Sequence, residues 1–151
     1  MIRQRFATDL KDAIKSRDTL RVSTLRLITA AVKDRDIAAR TADNAEGVPD
    51  AEILAILAKM IRQRQESAEA YDEGGRPELA QRERDEVAII REYMPRQMTD
   101  AEVDKAVRAA IAETGAASIR DMGKVMATLK ARHAGAMDFA RAGSAIKQAL
   151  G

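Results

Sequence analysis

What most limits the folds open to this chain is a repeated alternation of apolar stripes at helical spacing with residues that end helices. Leu20, Val22, Leu25, Ile28 and Val32 recur with a helical period, as do Ile53, Leu57, Met60, Ile61, Ala68 and Tyr71. No alternating β-branched run and no Asn-Gly turn competes with them, so strands have no signal. The chain reads as all-α.

Its punctuation predicts seven helices. The first covers about residues 2–16, and Asp18 caps a second over about 19–40. The stretch TADNAEGVP at 41–49 reads as a loop, after which Asp50 caps a helix over about 51–73. Gly74-Gly75 ends that helix, and Pro77 opens the next, about 77–93, at a position where a missing N–H does no harm. Pro95 closes it. Thr99 followed by Glu102 forms a capping-box signature for a helix over about 100–114, ended by Gly115. Ser118 caps a sixth over about 119–133, Gly135 ends it, and Asp138 caps a seventh over about 139–150. The connector MPRQM divides the chain into an N-terminal four-helix part, residues 1–95, and a small C-terminal three-helix bundle, residues 99–151. The tail is near the lower size limit for folding alone.

Composition narrows the chemistry. Aromatic residues make up 3% against a hydrophobic fraction of 46%, so the core is aliphatic, with seven Met to fill gaps. Cysteine is absent, which removes disulfides, thiol catalysis and zinc–thiolate sites. One His cannot build a His-based metal cage. There is no phosphate-binding loop, dinucleotide fingerprint or nucleophile elbow. No cofactor, metal or catalytic residue is therefore expected. No apolar run approaches the roughly 20 residues of a membrane helix, so no membrane partner is expected either. The basic N-terminus lacks a secretory h-region, and Asp9 and Asp12 argue against a transit peptide; the expected compartment is cytoplasmic.

Charge is segregated: residues 1–42 balance at +5, residues 43–98 at −5 and residues 99–151 at +2. The asymmetry suggests an anionic partner or simply attraction between basic and acidic helices. Some charges also project onto apolar faces. Arg21 lies in the arc of Leu25, Ile28 and Val32; Arg64 aligns with Ile53, Leu57 and Met60; Glu83 and Glu86 share a face with Leu79, Ile90 and Tyr93. Unpaired burial of any of these is costly, so a structural ion-pair network of Arg21, Arg64, Glu83 and Glu86 is expected across helices. A ligand pocket or an acid/base pair are the alternatives, but di-iron-type bundles need Glu-x-x-His elements that this chain lacks.

In the segment GAASIRDMGKVMATLKARHAG, the residues Ile119, Met122, Val125, Met126 and Leu129 form the expected buried stripe, with Arg120 and Lys124 on the opposite side, a face that is either simply solvated or suited to a phosphate chain. Lys130 and Arg132 lie near the helix end, where they also complement the dipole. Gly123 in mid-helix costs about 1 kcal/mol against Ala, so something should approach its backbone closely: another helix of the bundle or a nucleic-acid backbone. His133 reads as a boundary residue at the helix end.

The runs RVSTLRLITAAVKDRDI, IRQRQESAEAYDEGGRPELAQRERDEVAIIREYMPRQM and GAASIRDMGKVMATLKAR resemble the GatB/YqeY family, in the order and spacing of its stand-alone YqeY type. The resemblance implies a four-helix N-terminal part and a three-helix C-terminal part. It also implies kinship with the tail of the GatB subunit of glutamine-dependent aspartyl/glutamyl-tRNA amidotransferase, a tail that helps engage tRNA while other domains perform the chemistry. That tRNA contact carries over to Ser118–Arg132, where the SIRDMGKVM run matches.

The expected function is thus a non-catalytic tRNA-associated binding module, accessory to amidation of mischarged aminoacyl-tRNA, with a translation-related protein as a further partner. Its candidate nucleic-acid-binding residues are Arg120, Lys124, Lys130 and Arg132, joined by Arg26 and Lys33 on the polar side of the second helix. The alternatives are a protein-interaction module using the acidic helices over about 51–93 without RNA contact, and a carbon–nitrogen ligase with glutamine as amide donor.

Overall fold

Helix-capping chemistry decides where most of the breaks fall. The computed structural model describes residues 1–40 and 47–151, so most of the expected 41–49 loop lies outside the described residues. Among these there are seven α-helices, one 3-10 turn and no strand: α1 Ile2–Ser16, α2 Thr19–Ala38, α3 Asp50–Glu73, α4 Pro77–Arg91, α5 Asp100–Thr114, the 3-10 turn Ile119–Asp121, α6 Met122–His133 and α7 Phe139–Leu150. Asp18 accepts from the Arg21 N–H at 3.1 Å, and Asp138 accepts from the Ala140 and Arg141 N–H groups. Thr99 and Glu102 exchange both bonds of a capping box. The chain divides into two units, Met1–Met94 and Pro95–Gly151.

In the first unit, Leu25, Ile28, Ile53, Leu57 and Ile90 are fully buried at the centre of an aliphatic core. Phe6 and Tyr93 meet edge to face with centroids 4.8 Å apart. The α3–α4 hairpin turns through Gly74-Gly75, where Gly75 takes a φ of +72°. Arg17, the residue after α1, sits in the left-handed region at φ 57°, a conformation that favours glycine. Where α1 begins, α2 ends and the chain approaches α3, the Arg3 guanidinium donates to both Asp36 oxygens at 2.7 Å and to the Val48 carbonyl at 2.7 Å. Asp36 also accepts the Val48 N–H at 2.9 Å. The Arg3 guanidinium first, then that N–H, lowers the Asp36 carboxyl to about 2. Gly47 has φ +90°, and a Cβ there would stand 2.6 Å from Asp36 Oδ1, so the clamp needs its glycine.

In the second unit, Val103, Val107, Val125, Leu129 and Ile146 form the core. Gly143 of α7 seats the methyl ends of Met122 and Met126, which lie 3.5 and 3.7 Å from where its Cβ would be. The connector is tied to this unit. The Met98 N–H donates to Ala136 at 2.8 Å, the Gln97 side chain to Gly135 at 2.6 Å, and Arg96 to both oxygens of Glu102.

Several boundaries differ from those expected. Pro49, not Asp50, precedes α3, and Asp50 lies in its first turn. Helix α4 stops at Arg91, and Glu92, Tyr93 and Met94 bond three residues back, because the residue before Pro95 is disfavoured in the α region. The sixth helix begins as a 3-10 turn: Asp121 folds back to accept the Ala117 and Ser118 N–H groups at 2.9 and 3.3 Å.

Candidate functional site

That 3-10 turn rotates the start of the sixth helix out of the expected register. Ile119 is 46% exposed instead of lining the core, which is left to Val125 and Leu129 with Met122 and Met126 half-buried. Arg120, Gly123 and Lys124 are all exposed. Neither cation lies within ion-pair distance of a carboxylate among the described residues. Gly123 is the second residue of α6, not the mid-helix position expected, and a Cβ built on it meets nothing within 4 Å. No helix of this unit closes over Gly123, and of the two readings of that glycine, the neighbouring-helix one does not apply. The α6 start therefore offers two cations outside any ion pair, with the Asp121 carboxylate near enough to Lys124 to be lowered by it, together with an exposed stretch of helical backbone and an exposed apolar side chain. Such a surface can hold a phosphate backbone at close range.

The other candidate cations are placed differently. Arg132 is engaged by both oxygens of Glu113, which holds that carboxyl below its usual range. Lys130 stands 6.0 Å over the Phe139 ring. His133 is half-buried at the end of α6. Arg26 and Lys33 are exposed on α2 in the first unit.

Of the four inward-projecting charges, the structure brings two together. Arg64 Nε donates to Glu86 Oε2 at 2.9 Å with both side chains nearly buried, at 14% and 12% exposure, and its second nitrogen donates to the Met60 carbonyl at 3.2 Å. Arg82 adds a cation 3.9 Å from Glu86. Arg21 does not join them: it is 31% exposed and pairs with Glu92 at 2.8 Å and Asp18 at 3.4 Å. Glu83 is half-buried and has no ion-pair partner among the described residues. Among the described residues, no three His, Asp or Glu side chains are grouped to hold a metal ion.

Glu86 also borders an open cleft of about 770 Å³ formed by the end of α1, the start of α2 and α4. Ile14, Val22 and Leu27 supply its apolar floor, and Arg17, Arg26 and Arg82 its margin. The sequence carried a signal for it, since Ile14 and Leu27 are large apolar residues off the buried stripes. Sequence reasoning also missed the Arg3–Asp36–Val48 clamp and a bond from the Tyr93 hydroxyl to Asp9. Burial, then that bond, raises the Tyr93 hydroxyl above its ordinary value, while Arg5 lies 4.8 Å over the ring.

A family model described as Yqey-like protein matches residues 3–150. The chain is 31% identical over 101 residues to the altered inheritance of mitochondria protein 41, mitochondrial, of Lachancea thermotolerans, covering 66% of this chain and 52% of that protein. The protein of the same name from Kluyveromyces lactis is 31% identical over 85 residues, covering 56% and 44%. The one from Saccharomyces cerevisiae (strain YJM789) is 26% identical over 96 residues, covering 64% and 50%. The chain spans about half the length of the curated relatives it matches. Their names place them in mitochondria, which overturns the cytoplasmic expectation drawn from the N-terminal residues. An amphipathic basic start with two acidic residues does not discriminate compartments. No helix among the described residues is long and apolar enough to cross a membrane.

Proposed function

The chain belongs to the YqeY-like family, and from that premise we propose that it is a non-catalytic binding module that contacts tRNA through the start of α6. The observation that carries this reading is Gly123. It is exposed in the first turn of α6, close in sequence to Arg120 and Lys124, and nothing of its own unit meets a Cβ built there. A phosphate backbone lying against α6 accounts for it, with Arg120 and Lys124 supplying the charge and Gly123 the close approach. Lys130 and Arg132, occupied by Phe139 and Glu113, are secondary contacts. In this reading the three-helix part, residues 99–151, contacts the tRNA. The four-helix part, residues 1–95, serves partner proteins, and Arg64 and Glu86 hold it together without chemistry. The role is accessory to amidation of mischarged aminoacyl-tRNA.

The test is anisotropy titration of labelled bulk tRNA with the full chain at several salt concentrations. Two to three phosphate contacts give a log–log salt slope of about −2. Arg120→Glu with Lys124→Glu removes binding while the helical circular dichroism is unchanged. Gly123→Ala separates site from scaffold: at the second residue of α6 the new methyl meets nothing, so the fold is no less stable, and tRNA binding weakens. Absence of salt-sensitive binding by the wild type, unchanged binding by the double reversal, or amide transfer by the purified chain each overturns the reading.

A further inference from the structure

We propose that the cleft between α1, α2 and α4 is a docking site for an acidic amphipathic helix of a partner protein. Its lining residues all belong to the first unit. Ile14 and Leu27 are 50% and 47% exposed, and both face this one cleft. An apolar floor of Ile14, Val22 and Leu27 suits aliphatic side chains at helical spacing and offers nothing to a phosphate chain. The margin is cationic. Arg17 and Arg26 are exposed without an ion-pair partner among the described residues, and Arg82 is held only loosely by Glu86 at 3.9 Å. The one acid at the cleft, Glu86, is already neutralised from the core side by Arg64 at 2.9 Å. The surface thus presents an apolar strip beside three available guanidiniums. A fatty-acid carboxylate would satisfy one of them; several carboxylates on one helix satisfy all three.

The backbone at Arg17 adds an independent observation. Its φ of 57° suits glycine, so an arginine there works against the fold. An arginine in a glycine-favouring conformation at the lip of the cleft holds its exposed guanidinium where a partner's carboxylate can reach it. This separates binding from folding, since Arg17→Gly relaxes the backbone while deleting one guanidinium.

A displayed library of helical peptides is selected on the full chain, after depletion on the Leu27→Glu variant. The expected consensus carries Leu, Ile or Met at i, i+3 and i+4 with Asp or Glu alongside. A labelled consensus peptide should lose affinity about fivefold for each of Arg17→Gly and Arg82→Gln, with Arg17→Gly melting no lower than the wild type. Replacing the peptide's acids by Gln should cost a similar factor. No enrichment, a consensus without acids, or affinity indifferent to the arginine variants overturns the proposal. So does displacement of the peptide by oleate or by bulk RNA, or sedimentation showing that a second copy of the chain covers Leu27.

Discussion

Removing one partner of the Arg64–Glu86 pair should unfold the first unit far more readily than removing both. The two side chains retain 14% and 12% of their exposure and meet at 2.9 Å, so both charges are largely out of water. Breaking a buried pair leaves an uncompensated charge, typically at a cost of about 3–5 kcal/mol, whereas replacing both groups by apolar residues is often neutral. The two halves are unequal here. Without Glu86, Arg64 keeps only the Met60 carbonyl at 3.2 Å, so Glu86→Leu should cost about 3 kcal/mol. Without Arg64, Glu86 still has Arg82 at 3.9 Å, and Arg64→Met should cost about 2 kcal/mol. The double variant should lie within about 1 kcal/mol of the wild type, giving a coupling of about 5 kcal/mol in a double-mutant cycle. Urea unfolding followed by circular dichroism measures all four corners, with the slope checked for constancy. A Glu86→Leu variant as stable as the wild type, or costs that simply add, would refute the idea that this pair is desolvated and mutually dependent.

Two further perturbations test other parts of the first unit. Asp36 has its carboxyl lowered from 3.8 to about 2, so its contribution is fully present above the unfolded value and is lost as pH falls through about 2. Discounted for its partial exposure, that contribution is about 1 kcal/mol, and Asp36→Asn should flatten the acid limb of stability between about pH 4 and 2. An unaltered limb in acid titration would show that the Arg3 clamp carries no linkage. Thr24 is fully buried with a hydroxyl that has no partner among the described residues, so Thr24→Val should raise stability by about 1 kcal/mol in the same urea assay. A loss instead would mean that the hydroxyl is satisfied.

What could be read from residues alone was whatever is decided over three or four positions. The Thr99–Glu102 capping box, the Asp138 cap and the placing of Pro77 are local contests between side chain and backbone, and sequence spacing contains all of their terms. Helical projection failed where it assumed one continuous period. The 3-10 turn at Ile119–Asp121 moved Ile119 off the core side, and this turned on where the Asp121 carboxylate folds back. Partners distant in sequence were illegible: Arg3 finds Asp36 and Val48, and Arg21 finds Glu92 rather than Glu83 or Glu86. Periodicity says which face a charge occupies, but not which neighbour arrives there. Gly123 reads as a mid-helix glycine only if the sixth helix runs unbroken from Ile119; the 3-10 turn puts it in the first turn of α6, with nothing of its own unit against it.

The bonds from Arg96, Gln97 and Met98 carry a consequence for how this chain can be cut and recombined. Those residues fasten to Glu102, Gly135 and Ala136, so the seam runs ahead of Pro95 and the short stretch travels with the C-terminal helices. A fragment starting at Thr99 would strip the Ala136 carbonyl of its donor and Glu102 of its guanidinium. A graft starting at Pro95 would bring its own fastening, ready to be spliced behind an unrelated host.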